Sequence, residues 1–353
     1  MPKFIPYDYN QNTMVVVNFE DQLQPGTFEH ALHYLIDHRL DLSVFYPSIR
    51  NDDTGRPAYD PAILLKIVFF AYSKGITSSR EIEWQCRNNI IFKALSCDSA
   101  PHFTTIASFV SDQPGPISEI FEQILLICDE QGLLGHELIA IDGCKMSSSA
   151  AKESSGTLAE LERKRDKLRR RIDHLLKAHR KADKSESRDD ARAERTRQTI
   201  GTLNAASERI DRFLKSASPR MGRGKRPREV KSNITDNESA KMQTSKGTIQ
   251  GYNGIAAVDA KHQVIVDAQA FGEGQEQHTL QPVIEAVRDR YHRLGIRKNL
   301  FKGRYKAIVT ADTGFASEAN MEYLYRNRVD AYIMDDFIQC NLLKYNDILI
   351  SLI

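Results

Sequence analysis

Nowhere among the 353 residues do ~18 apolar side chains run uninterrupted, so no membrane-spanning helix is expected. The N-terminus lacks a basic start followed by an apolar run, so a secretory signal is not expected either, and a cytoplasmic, nucleoid-associated location is the expectation. Cysteine is scarce and unpatterned. Cys86, Cys97, Cys128, Cys144 and Cys340 are an odd number, far apart, with no C-x-x-C pair, which argues against a disulfide framework or a zinc site. Acidic or basic imbalance is also absent overall, since the net charge is only +2. That balance hides an asymmetry: residues 161–230 hold 23 of the 49 Lys and Arg against 11 Asp and Glu, a local excess of +12 on a body that is otherwise −10. A basic element on an acidic body suggests a polyanion partner, nucleic acid being the commonest, although a solvated charged helix would have the same composition. With 41% hydrophobic and 27% charged residues, the chain has the make-up of a globular protein large enough for two domains.

The first 133 residues read as an all-α unit. Phe28, Leu32, Leu35 and Ile36 recur at helical spacing. In "DPAILLKIVFFAYSKG", Asp60 is a capping residue, Pro61 suits a first turn and Gly75 a stop. "ITSSREIEWQCRNN" has Ser78 three residues before Glu81, the capping-box spacing. Short helices follow in "NIIFKALSC", from about Thr104, and over roughly 117–131. Such a unit is either a plain helical bundle or a helix-turn-helix reader with Thr104, Thr105 and Ser108 on its recognition helix.

From residue 134 the texture changes to strands alternating with helices. "LIAID" is a buried strand, "GYNGIAAVDAKHQVIVDAQAF" a hairpin turning at 259–263, "TLQPVIEAVRDRYHRLG" an amphipathic helix, "YKAIVTAD" a second buried strand, "SEANMEYLYRNR" a helix and "DAYIM" a strand. The predicted fold is α/β with a mixed sheet, residues 134–156 and 231–353 forming one domain. Residues 157–230 interrupt it. Leu161, Arg165, Leu168, Ile172, Leu175 and His179 step by threes and fours like a coiled-coil seam with two polar intruders. "KADKSESRDD" breaks the pattern before a second helix with Ile200, Leu203, Ile210 and Leu214. An antiparallel helical hairpin is expected, followed by a basic loop whose Arg223, Lys225, Arg226 and Arg228 suit a phosphate backbone.

"LIAIDG" and "AIVTADTG" repeat one physical pattern: an apolar strand, an Asp at its C-terminal end, then Gly within two residues. In open α/β sheets, groups at the C-terminal ends of strands face the ligand crevice. Each Asp alone is as well explained by a turn. Together, Asp142 and Asp312 become candidates to share a divalent metal if their strands are neighbours. The chemistry that uses carboxylate-held hard cations in this way is phosphodiester cleavage or transfer. Lys145 lies close enough in sequence to contact a phosphate, and Gly143 and Gly314 let backbone approach a ligand. A phosphatase of the haloacid dehalogenase type also ends a strand in Asp, but needs a second Asp where this chain has Cys144.

The segments "GRPAYDPAILLKIVFFAYSKGITSSREIEWQCRNNIIFKALS", "HFTTIASF", "IAIDGCKMSSSA", "NITDNESAKM", "GYNGIAAVDAKHQVIV" and "TADTGFASEANMEYL" occur in an order that resembles bacterial insertion-sequence transposases of the DDE type, over roughly residues 40–334. The resemblance implies a helical DNA-binding domain and a ribonuclease H-like catalytic domain carrying an insertion. It implies two Mg2+ or Mn2+ ions held by three acids, with Asp142 and Asp312 as the first two. It implies supporting roles for Asp236 and Tyr252, DNA terminal inverted repeats as partner, and a homo-oligomer acting on paired ends. The family's third acid is a Glu on a helix beyond "DAYIM". No match for it follows here, where Asp335, Asp336 and Asp347 do not fit the motif, so C-terminal truncation and weak or absent cleavage are expected. A non-catalytic DNA-binding protein or regulator derived from a transposase is the alternative.

Overall fold

The structure, a computed structural model, describes residues 16–49, 57–182, 190–223, 226–304 and 306–333. The chain divides into two compact units between Gln131 and Gly132.

The first unit is all-helical: α1 (Phe28–His38), α2 (Pro61–Ser73), α3 (Ser79–Asn88), α4 (Ile90–Ser96), α5 (Phe103–Ser111) and α6 (Pro114–Glu130). α2 is its central element because its apolar residues run right round the helix: Leu64, Leu65, Ile67, Val68, Phe70 and Ala71 are all buried. Each large apolar side chain so buried contributes roughly 1.5–3 kcal/mol. Asp60 accepts from the Ala62 amide at 2.8 Å, Pro61 opens the helix, and Gly75 follows its end at φ +75°, as the sequence predicts. Lys66 is also buried, and its ammonium bonds both carboxylate oxygens of Asp37 at 2.6 and 2.7 Å. The predicted capping box does not form. Ser78 is the N-cap residue of α3 without a side-chain cap bond, and the Glu81 carboxylate, the other half of the box, accepts from Gln85 one turn on, at 2.9 Å.

The second unit is a mixed sheet with helices. Its elements are β1 (Leu138–Ser147), β2 (Ser155–Gly156), α7 (Leu158–Ala182), α8 (Asp190–Ser216), β3 (Ser232–Asn233), β4 (Ala240–Thr244), β5 (Gly247–Asp259), β6 (Val264–Phe271), α9 (Leu280–Leu294), β7 (Ile308–Ala311), α10 (Glu318–Asn327) and β8 (Asp330–Ile333). β5 pairs antiparallel with β1 on one edge and with β6 and β4 on the other. Beyond β1 the sheet becomes parallel, through β7 to β8. α9 buries Leu280, Val283, Ile284, Val287 and Tyr291, a stripe at helical period, and packs on β5 and β6.

Two buried carboxylates staple this unit. Asp259 accepts from the amides of Gly135 (2.9 Å), His136 (2.8 Å) and Lys261 (3.0 Å), tying the approach to β1 to the end of β5. Asp267, on β6, pairs with Arg290 on α9, and Arg290 also donates to the Val266 carbonyl at 2.9 Å.

α7 and α8 leave the sheet through a narrow neck. There β2 pairs antiparallel with β3, and the buried Asn233 amide donates to Ala151 O and Ser155 Oγ, each at 2.9 Å. Leu161 and Ile172 are buried on α7, as are Ile200 and Ile210 on α8. The intruding Arg165 reaches Asp211 at 3.2 Å, and Arg169 reaches the same carboxylate. The start of α7 therefore lies against the end of α8, an antiparallel hairpin. The expected break at "KADKSESRDD" falls largely on 183–189, outside the described residues.

Candidate active site at the ends of two parallel strands

Ile139 and Ile141 face the core from β1, and Val309 does so from β7; each strand then runs into an exposed Asp. The parallel register pairs Ile139 with Val309 and Ile141 with Ala311, so Asp142 and Asp312 are the next residues on adjacent strands. Neighbouring strands lie about 4.8 Å apart, which brings two residues 170 positions apart in the chain to one rim of the sheet. β7 stops there while β1 continues against β5, opening a notch beside Asp142. The turn-forming role of these residues is real as well. Asp312 Oδ1 accepts from the Gly314 amide at 2.9 Å and caps the 3-10 turn Thr313–Phe315, and Asp142 Oδ1 accepts from the Gly143 amide at 2.7 Å. Both local bonds use Oδ1.

A third carboxylate, unmarked in the sequence reading, lies at the same rim. Glu276 belongs to the 3-10 turn Glu276–His278 that joins β6 to α9. A β-carbon added at Gly314 would collide with the Glu276 carboxylate and stand 3.1 Å from Asp312 Oδ1; one added at Gly143 would stand 3.8 Å from Glu276 Cγ and Cδ. Glu276 thus takes the space over Gly314, whereas over Gly143 the Ile255 side chain stands nearest, at 2.7 Å. The turn is clipped in place by Asn320 of α10, a buried residue that donates to Gln277 O at 2.8 Å and Phe315 O at 2.7 Å. Alternation along β1 turns Asp142 and Gly143 to opposite faces. Consistent with that, no group of three His, Cys, Asp or Glu among the described residues is closed enough to hold an ion as it stands. The donors are nevertheless all carboxylate oxygens at an exposed rim, which is the set a hard cation takes, with water and substrate oxygens completing its shell.

The other sequence candidates of this unit make contacts of their own. Lys145 is exposed, and its ammonium donates to Gln243 O of β4 at 3.1 Å. Arg223 pairs with Glu273 at 2.9 Å, and the second oxygen of Glu273 meets His278 Nδ1 at 3.0 Å. Arg226 and Arg228 are exposed, and Lys225 lies outside the described residues. Asp236 and Tyr252 form a pair: the Tyr252 hydroxyl donates to Asp236 Oδ1 at 2.7 Å. Burial pulls the Asp236 carboxyl up, but hydrogen bonds from Tyr252, Ser239 and Ser148 outweigh it and leave its pKa below the ordinary Asp value. The Tyr252 phenol is pushed up to about 12, chiefly by its bond to that carboxylate. Arg220, not singled out by the sequence, braces the same loop by donating to Asn237 O, to Ser239 O at 3.1 Å and to Gly272 O at 3.2 Å.

In the first unit, Thr104 and Ser108 are exposed on α5 and Thr105 is half-buried. Thr104 Oγ1 is engaged with His102 Nδ1 at 2.8 Å, in the helix cap, and Thr105 and Ser108 line a cavity of about 380 Å3 with Phe45, Tyr59 and Phe109. α5 carries no Lys or Arg, so any phosphate contact in this region would fall to neighbours such as Arg80. The four described cysteines are free thiols, and burial pushes Cys86 up to about 12, which makes it inert at neutral pH. No helix is long and apolar enough to cross a membrane among the described residues.

Residues 17–112, which take in α1 to α5, match the family model described as Transposase domain (DUF772). The sheet with Asp142 and Asp312 lies outside that match. Neither curated proteins nor solved structures give a match to the chain.

Proposed function

We propose, from the match of residues 17–112 to the transposase-domain family model, that the chain acts on DNA as a DDE-type insertion-sequence transposase, with divalent-metal-dependent phosphodiester cleavage and strand transfer at the rim of its second unit. One observation carries the reading: the parallel register that brings Asp142 and Asp312 side by side. The order β6–β5–β1–β7–β8, antiparallel on one side of β1 and parallel on the other, supports a ribonuclease H-like sheet.

Asp142 and Asp312 would hold Mg2+ or Mn2+. When bound, such ions activate the attacking water or 3′-hydroxyl and stabilise the leaving oxygen. The remaining work falls to the chain's own residues. The Tyr252–Asp236 bond and the Arg220 clip hold the loop beside β4 and β5 in one conformation. The insertion supplies charge. Arg209 and Arg212 stand one turn apart on α8, without an acidic partner among the described residues, beside a groove of about 410 Å3 that Thr235 also lines. Asp211, next to Arg212 in sequence, is already taken by Arg165 and Arg169.

The proposal is tested by strand cleavage of a terminal-repeat duplex by the full chain with Mg2+ or Mn2+. Cleavage that stops on chelation supports it. Salt-dependent DNA binding without cleavage would instead favour the non-catalytic regulator. In either case, alanine at both Arg209 and Arg212 is expected to weaken binding uniformly across sequences and to flatten the log K against log salt slope by about 2, one for each lost phosphate contact. An unchanged slope would mean that this groove does not meet the DNA backbone.

A further inference from the structure

We infer that an outward row of cations on α7, Arg163, Lys167, Arg170, His174 and Lys177, is a track that holds duplex DNA by its phosphate backbone; the inference rests on the transposase reading of the chain. The five residues step by four, three, four and three, so they lie one above another along one face of the helix and span about 21 Å at 1.5 Å per residue. That face is turned away from α8. Leu161 and Ile172 are buried in the seam, and Arg165 reaches Asp211 from it, whereas all five members of the row are exposed. The acids of α7 do not interleave with the row. At 3.6 residues per turn Glu162, Asp166 and Asp173 fall together on one flank, and Glu160, at the foot of the row, is taken by Lys231 at 3.4 Å. Arg163, Lys167 and Lys177 make no ion pair among the described residues, and Arg170 donates only to its own helix, to Asp166 O at 3.3 Å.

A helix that faces only water gains from mixing its signs at i,i+4 spacing. Here Arg163 with Lys167, and Lys167 with Arg171, are like-charged neighbours at that spacing, so they destabilise α7 unless negative charge lies against them. The partner has to present negative charge as regularly as α7 presents positive charge. α7 is one helix of 25 residues, a stiff rod, and a surface with scattered acids would meet the row at one or two points only. A duplex carries one negative charge per ~1.7 Å of its axis, and about 21 Å of it covers roughly six base pairs. Because α7 leaves the sheet through the β2–β3 neck, the row contributes affinity on an arm outside the sheet, not chemistry at Asp142 and Asp312.

The test is the salt dependence of binding of the full-length protein to two fluorescently labelled duplexes of unrelated sequence, read by anisotropy. Arg163→Gln, Lys167→Gln, Arg170→Gln and Lys177→Gln together remove four permanent charges but keep a good helix former, so helical content and melting temperature should hold. The slope of log K against log salt is expected to flatten by about 3.6 for both duplexes, ~0.9 for each lost phosphate contact. Raising salt from about 50 to about 200 mM would then cost the unaltered protein on the order of 100-fold more affinity than the variant. Arg169→Gln is the control. It removes the same charge two residues from Lys167, but on the flank and from a side chain already committed to Asp211, so the slope should stay as it is. An unchanged slope in the fourfold variant, or an equal loss per charge with Arg169→Gln, overturns the inference, while metal-dependent cleavage lost in Asp142→Asn would leave the transposase reading standing. If the fourfold variant instead loses binding to phosphatidylserine vesicles with its DNA slope intact, the occupant is a lipid surface and the inference is wrong. The predicted flattening without any cleavage would keep the track and remove the transposase activity. If the unaltered protein neither binds nor cleaves either duplex, both fall.

Discussion

Asp142→Asn is expected to lower metal-dependent strand cleavage by roughly 10^3-fold, with DNA affinity and thermal stability nearly unchanged. The size follows from the chemistry proposed. A divalent ion contributes several kcal/mol of transition-state charge stabilisation, and each 1.36 kcal/mol is tenfold in rate. Asparagine preserves the acceptor that receives the Gly143 amide, so the turn after β1 survives while the charge is lost. Asp312→Asn should behave alike, because its Oδ1 bond to Gly314 can be kept by the amide oxygen. The double variant should be little worse than either single one, since groups acting as a unit are strongly non-additive. Cleavage by Asp142→Asn within a few-fold of the unaltered chain would remove these residues from the reaction.

The largest effect on stability is expected at Arg290. Asp267 is fully buried and depends on Arg290, with Gln269 Nε2 donating to its other oxygen at 2.7 Å. Removing one partner of a buried pair leaves an uncompensated charge and costs about 3–5 kcal/mol. Arg290→Met should therefore lower the melting temperature of this unit by roughly 6–20 °C, at about 2–4 °C per kcal/mol for a domain of this size. Replacing both residues, as Asp267→Leu with Arg290→Met, should recover much of the loss, because the desolvation penalty disappears with the charge. A double variant as unstable as the single one would show that the bond to the Val266 carbonyl, rather than the ion pair, fastens α9 to the sheet.

Asp142 and Asp312 were legible in the sequence because each sits at a local boundary where an apolar strand meets a carboxylate and a glycine, and the pattern occurs twice. Their adjacency came only from supposing the strands to be neighbours, which the register bears out. Glu276 was not legible. It stands in the polar run "GEGQEQH", with neither strand nor helix periodicity, and its place depends on Gly314 and Asn320, some forty residues further on. The helical hairpin was readable from its threes-and-fours spacing, but the partner of Arg165 was not, since Asp211 is 46 residues further on. β4 escaped notice because "AKMQT" has a single buried position, Met242. The Ser78–Glu81 spacing suits a capping box, but the Ser78 side chain makes no cap bond and Glu81 accepts from Gln85. Strand and helix periodicities carried over, whereas partners drawn from distant segments did not.

The most direct measurement of the metal-site proposal is affinity cleavage of the protein itself. Fe2+ is bound in place of Mg2+, and ascorbate with peroxide cuts the backbone near the ion. Cuts are predicted at two places together, after β1 near Asp142 and after β7 near Asp312, both suppressed by excess Mg2+ and by Asp312→Asn. Cuts confined to one of these segments, or scattered elsewhere and indifferent to Mg2+, would contradict a single carboxylate site at this rim.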